Sequence, residues 1–164
     1  MLHVKPEAFR AALGGLPSGV TVVTSVARSG EFVGATVSAF MSLSLDPPLV
    51  LVSLSGGART AHAVRDSAAF AVHVVGDRHQ EIAMRFAAGN GVNKFDEISH
   101  RVNKRGVPVL DGFDICIECY LYAAYPGGDH VIYLGLVEDI SLAELGPPAV
   151  WYDREFHRLE RRSQ

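Results

Sequence analysis

Only two cysteines and one tryptophan stand among the 164 residues, and just 20% of positions are charged. Two thiols are too few for a disulfide framework. The spacing Cys116-Ile117-Glu118-Cys119 falls in a strand-like run, where residues three apart point to opposite faces. No further Cys or Cys/His pair completes a metal set, so no metal site is expected. The 15 Lys and Arg against 18 Asp and Glu leave a formal charge of -3 with no block of one sign, which excludes the basic stripe a nucleic acid requires. The longest apolar stretches, Val20 to Val23 and Pro47 to Leu54, fall far short of the roughly 20 residues that span a bilayer, so no membrane association is expected. Met1 to Glu7 lacks the charged-then-apolar layout of a secretory signal, and the expected location is the cytoplasm. Among the seven histidines no H-E-x-x-H spacing occurs, and G-x-S-x-G, G-x-G-x-x-G and G-x-x-x-x-G-K-[ST] are also missing. Zinc hydrolysis, the usual serine hydrolysis and the two commonest nucleotide cradles lose their support.

What is present is apolar: 48% of residues are hydrophobic and the mean hydropathy is +0.17. A chain of this length supports one core without staples, so residues 1–164 are expected to form a single domain. Its apolar excess suits a homodimer in which a second copy covers part of the surface. Phe9, Leu13 and Leu16 recur at helical spacing behind Pro6, and Gly14-Gly15 supplies the stop, predicting a short leading helix. Gly19 to Ala27 and Phe32 to Phe40 flank Arg28-Ser29-Gly30-Glu31 and predict a hairpin. Ser42 to Ser44 with Asp46-Pro47-Pro48 reads as a loop, and Leu49 to Leu54 as a buried strand. A helix over Ala58 to Arg65, a strand over Ala69 to Val75 and a second helix over Arg78 to Ala88, ended by Gly89-Asn90-Gly91, come next. Val92 to Gly112 reads mostly as loop. Phe113 to Tyr125 and Val131 to Ile140 are long strands around Pro126-Gly127-Gly128-Asp129, and Ala149 to Tyr152 with Phe156 to Leu159 make a last short pair. Strands joined by hairpins, with three short helices, do not make a doubly wound sheet. They predict a mainly β fold, an antiparallel barrel whose closure hides its edges.

Two segments carry candidate chemistry. In Gly34 to Ser42, Thr36 and Ser38 are expected on one strand face, their hydroxyls side by side where a phosphate or a flavin ring edge would meet them; the same pattern also suits an ordinary solvent-facing strand. Ser53-Leu54-Ser55-Gly56-Gly57-Ala58-Arg59-Thr60 places hydroxyls, a glycine pair and a cation ahead of a helix start, where dipole, backbone donors and the Arg59 fork would meet an anion together; the same residues also suit an ordinary cap at Ser55 or Gly57 and a solvated Arg59.

Pro17 to Thr24, Gly34 to Phe40, Ser42 to Val50 and Tyr125-Pro126-Gly127-Gly128-Asp129-His130, in this order between Phe9 and Leu159, resemble the short-chain flavin reductases, reductase components of two-component aromatic monooxygenases with an FMN-binding split barrel. The resemblance implies an NAD(P)H:flavin oxidoreductase. It implies Thr36, Val37, Ser38 and Ala39 along the flavin ring and ribityl chain, Ser53, Leu54 and Ser55 at the ring edge and the loop that follows, and Arg59 and Thr60 near the phosphate. Lys94 and Phe95 would close over the cofactor, and His130, oriented by Asp129, would face the nicotinamide. FMN or FAD is the flavin, NADH or NADPH the hydride donor, and a monooxygenase and a second copy of the chain the implied partners.

Overall fold

Val- and Thr-rich runs with both faces buried make the central strands, and Gly, Pro and Asp punctuate them. The computed structural model describes residues 4–89 and 93–159; Asn90 and Gly91 of the expected helix breaker, and Met1 to His3, lie outside the described residues. The strands are β1 (Ser18–Gly19), β2 (Thr21–Val26), β3 (Phe32–Val37), β4 (Phe40–Leu45), β5 (Pro48–Ser55), β6 (Ala69–Val74), β7 (His100–Val102), β8 (Pro108–Leu110), β9 (Ile115–Gly127), β10 (His130–Leu142), β11 (Ala149–Tyr152) and β12 (Glu155–Arg158). The helices are α1 (Pro6–Gly14), α2 (Arg59–Ser67) and α3 (Gln80–Ala87), the last preceded by a 3-10 turn at Asp77–His79.

Seven strands form one antiparallel sheet in the order β3-β2-β6-β9-β10-β5-β4. Its two outer strands, β3 and β4, are consecutive in the chain, joined only by Ser38 and Ala39. The Ala39 carbonyl accepts the Ser53 N–H at 2.9 Å, which pins this link to β5. The barrel is therefore split, and a two-residue stretch of backbone spans its seam where a full ladder would otherwise run.

The alternation along each strand sorts side chains into two cores. Val23, Val52, Leu54, Phe70, Val72, Cys119 and Tyr133 pack together beneath α2, whereas Val22, Ala69, Ala71, Phe86, Leu110, Phe113 and Cys116 pack beneath α3 and the β7-β8 hairpin. The two cysteines thus lie in different cores, and burial pushes their thiols up to about 11 for Cys116 and about 12 for Cys119. Helix α3 lies so close on β3 that a Cβ on Gly34 would stand 2.5 Å from the Phe86 ring. Gly128, at φ 76°, makes the turn between β9 and β10.

Two expectations change, and a third holds with a difference in burial. The strand starting at Phe32 ends at Val37, and Ser42 to Ser44 belong to β4, because that segment finds a ladder on β5 with a bulge between Ser42 and Ser44. The stretch expected as loop after Val92 contains β7 and β8, docked where Arg101 and Asn103 bind the buried Glu118 of β9. The leading helix forms as expected, and none of its residues is buried: Phe9 and Leu13 are exposed, as is Leu16 just beyond it.

Candidate functional site

At the end of β5 the chain passes through Ser55-Gly56-Gly57 into α2. The N-cap of that helix is Ala58, which has no side chain to accept a hydrogen bond, and its first N–H groups are left without a side-chain cap. Nothing lies within 4 Å of where a Cβ on Gly57 would stand, so the approach to this helix end is open. A cleft of about 200 Å³ lies here, with Arg59, Thr60 and Gly57 on one wall and Gly34, Lys94 and Phe95 on the other.

Each wall is held by identifiable contacts. The Lys94 ammonium donates to the Phe86 carbonyl at 2.9 Å and the Gly34 carbonyl at 3.3 Å, tying its loop to the end of α3 and to β3. Partial burial lowers its pKa from the ordinary lysine value, and the nearby Arg59 guanidinium adds to the shift. Phe95 packs edge-on against Phe86, ring centres 5.1 Å apart, and against Phe32 at 5.8 Å. Across the mouth the Glu31 carboxylate pairs with Arg59, both side chains being more than half exposed.

The other face of the same loop meets the β9-β10 turn. Ser55 stands opposite His130 in the ladder, and the Gly56 N–H donates to the Asp129 carbonyl at 2.9 Å. His130 Nδ1 lies 2.7 Å from Asp129 Oδ1, and this hydrogen bond holds the exposed Asp129 carboxyl below the usual carboxylate range.

Arg59, Thr60, Lys94 and Phe95 therefore share one cleft, while Ser55, Asp129 and His130 cluster beside its entry loop. Ser38 and Ala39, both exposed, reach the same strand end through the Ala39–Ser53 hydrogen bond. The expected pair of hydroxyls on one strand face is not formed: Thr36 donates to the Ala83 carbonyl of α3, and Ser38 lies beyond the end of β3. The Val37 and Leu54 side chains are buried in the core beneath α2, leaving only their backbone to a ligand. The Ser53 N–H is engaged by Ala39, so Ser53 offers its hydroxyl. Glu31 was legible only as turn chemistry, because nothing in the sequence brings it to a cation 28 positions away.

This donor set fits the phosphate end of a flavin nucleotide: an uncapped helix N-terminus, two cations and an open glycine converge on one cleft. A larger cavity, about 780 Å³, lies where β6 ends and β9 begins, lined by Val75, Gly76, Asp114, Ile115, Leu145 and Pro148, among others. It is mostly apolar and contains none of the candidate residues. Among the described residues no group of three His, Cys, Asp or Glu is placed to hold a metal ion.

The flavin reductase like domain matches residues 13–160. The chain is 40% identical over 151 residues to the actinorhodin polyketide dimerase of Streptomyces coelicolor, covering 92% of this chain and 85% of that one. It is 39% identical to the reductase component of 4-hydroxyphenylacetate 3-monooxygenase from Thermus thermophilus, over 93% of this chain and 96% of that one. The solved structure of the Streptomyces globisporus NADH:FAD oxidoreductase, in complex with NAD and FAD fragments, matches all of both chains with a TM-score of 0.89 and 30% identity.

Proposed function

The chain belongs to the flavin reductase like family, and from that premise we propose that it is an NAD(P)H:flavin oxidoreductase that reduces FMN or FAD and supplies the reduced flavin to a monooxygenase. The observation that carries this reading is the uncapped start of α2 with Arg59 and Lys94 on one cleft, beside a strand end that also presents Ser55 and His130. A bound flavin supplies the hydride acceptor, taking two electrons from the nicotinamide ring with no help from a side-chain nucleophile.

The residues of this chain then have positioning roles. Arg59 and the first N–H groups of α2 hold the phosphate, where charge and dipole act together. Lys94 and Phe95 form the opposite wall, Lys94 fixing it to β3. Ser38, Ala39 and Ser53 flank the ring edge at the barrel seam; Ala39 locks the seam through its carbonyl, and Ser53 contributes its hydroxyl. Asp129 holds the His130 ring through Nδ1 beside Ser55, its partner in the ladder, where the nicotinamide is proposed to lie. Thr36 braces α3, Val37 and Leu54 anchor β3 and β5 in the core beneath α2, and Thr60, buried in the first turn of α2, shapes the cleft floor.

The reading extends to a cytoplasmic homodimer built from one domain per chain, supported by the exposed Phe9, Leu13 and Leu16 of the leading segment and by Leu142 at the end of β10. Sedimentation velocity tests it, a single monomer boundary being the contrary result. A second reading keeps FMN bound and reduces another acceptor; it is favoured by the relative named a polyketide dimerase, whose name specifies no flavin product. Anaerobic mixing with NADH or NADPH and excess FMN or FAD separates the two. Bleaching of many equivalents of flavin supports the reductase, bleaching of one equivalent supports the bound-flavin reading, and no bleaching by either nucleotide leaves a binding module without turnover.

A further inference from the structure

The cleft wall formed by Lys94 and Phe95 has two supports. Lys94 ties its start to α3 and β3, and the chain then runs into β7, which carries its end. The β7-β8 hairpin is no part of the seven-stranded sheet, since its two strands pair only with each other. It is held on the barrel by side chains of β2, β6, β9 and β10.

The two strands of the hairpin are held differently. All three residues of β8 are buried, the Thr24 hydroxyl of β2 donates to the Pro108 carbonyl, and the Leu110 N–H donates to His73 Nε2 on β6. β7 has no such seat, because Arg101 and Val102 are exposed. Among the described residues, the hydrogen bonds that β7 and Asn103 make to the barrel all end on one side chain, the buried Glu118 of β9. Both of its carboxylate oxygens are taken: Arg101 pairs with Oε1, and Asn103 Nδ2 donates to Oε2 at 2.8 Å. Asn103 Oδ1 in turn accepts the Val107 N–H at 2.9 Å, so the hairpin turn is built around the same carboxylate.

One residue before Arg101, His100 meets the cleft wall. Its ring lies edge-on to Phe95 at 5.6 Å and to Phe32 at 5.3 Å. The path from Glu118 to the cleft is therefore short, running through Arg101, one peptide unit and His100 to Phe95. A buried ion pair adds little net stability over apolar side chains of the same volume, and its best-attested use is to specify one arrangement among several. We infer that Glu118 is a positioning residue for flavin binding, fixing β7 through Arg101 and Asn103 so that His100 holds the Phe95 ring in place opposite Arg59. The inference rests on the flavin reading above. Its consequence is an effect on affinity rather than on rate, because His130 and Ser55, where hydride transfer is proposed, belong to the β5 and β10 strand ends and make no contact with the hairpin in this chain of interactions.

The test measures KM and kcat for FMN and FAD at saturating NADH or NADPH, and flavin Kd by fluorescence quenching, in the full-length protein. Glu118→Gln is expected to raise flavin KM and Kd about fivefold with kcat within about twofold of wild type. A Glu118→Leu, Arg101→Leu pair removes both charges together; it is expected to show the same rise with Tm within about 3 °C of wild type. In a Phe95→Ala background the Glu118→Gln effect should fall below about 1.5-fold, since the ring it positions is gone. Unchanged flavin KM and Kd in both variants, whatever happens to Tm, would make Glu118 a purely structural residue and overturn the inference. A full fivefold rise that persists without the Phe95 ring also overturns it, because the effect then bypasses the wall. A wild type that neither quenches nor reduces either flavin overturns the flavin reading itself, and the positioning role with it.

Discussion

The two cavities differ more in how their polar groups are engaged than in size. Around the 780 Å³ cavity and the core beside it, the polar groups are buried and bonded: Asp114 accepts the Gly146 N–H at 3.0 Å and pairs with Arg78, and His79 stacks on Phe113 at 4.2 Å with ring nitrogens meeting the Gly76 N–H and the Gly112 carbonyl. Deeper in that core His73 donates from Nδ1 to the Val22 carbonyl and accepts the Leu110 N–H at Nε2. Around the 200 Å³ cleft the charged groups are half exposed and the helix end is uncapped. Polar groups bonded in the interior stabilise the fold, whereas half-exposed charges and an uncapped helix end stay open to a ligand; volume alone would have chosen the wrong cavity.

That contrast can be tested from either side. The largest effect belongs to His73, which burial keeps neutral down to about pH 4 against an ordinary value of 6.5. The unfolded chain therefore takes up a proton that the folded one refuses, so its contribution to stability is complete above pH 6.5 and is lost as pH falls toward 4. The loss is about 3 kcal/mol, read from urea midpoints across that range. A His73→Gln variant that showed the same acid loss would place its origin elsewhere. Next, Asp114→Ala leaves the Gly146 N–H without its acceptor and is expected to cost about 1–2 kcal/mol in urea unfolding while flavin Kd stays within twofold. A tenfold change in Kd would break the distinction between the two cavities.

On the cleft side the effects reverse. Arg59→Ala is expected to weaken FMN and FAD alike by about tenfold in fluorescence titration, with Tm unchanged within 2–3 °C on the scale of an exposed side chain. Unchanged affinity would remove Arg59 from the phosphate position. The smallest expected effect sharpens the picture: Glu31→Gln frees Arg59 from an exposed ion pair and should tighten flavin about two- to threefold, the effect shrinking in high salt. Weaker binding in that variant would make Glu31 a ligand contact in its own right.

Much of the framework is legible in the sequence where periodicity and breakers agree. The β2-β3 hairpin, the buried β5, the start of α2 and the long β9-β10 pair all follow from alternation bounded by Gly, Pro and Asp. What was not legible depended on partners far along the chain. Ser42 to Ser44 have the composition of a loop and become strand because β5 offers them a ladder, and β7 and β8 exist because Glu118 anchors them. Residue spacing alone left the Thr36–Ser38 and Arg59 segments open between ligand contacts and surface decoration. The grouping of Arg59, Thr60, Lys94 and Phe95 came from the family resemblance, and the fold then brought those four to one cleft. Thr36 escaped any local reading, since the carbonyl that takes its hydroxyl lies 47 positions away on α3.

The seam at Ser38 and Ala39 also bears on how such a protein can diversify. The hydrogen bond that holds it uses the backbone carbonyl of Ala39, which any residue at that position supplies, and both residues are exposed. Substitutions there alter what a ring meets at the strand end while every ladder in the sheet keeps its register. The split in the barrel is thus a site of cheap variation, where specificity can drift without the scaffold having to be rebuilt around it.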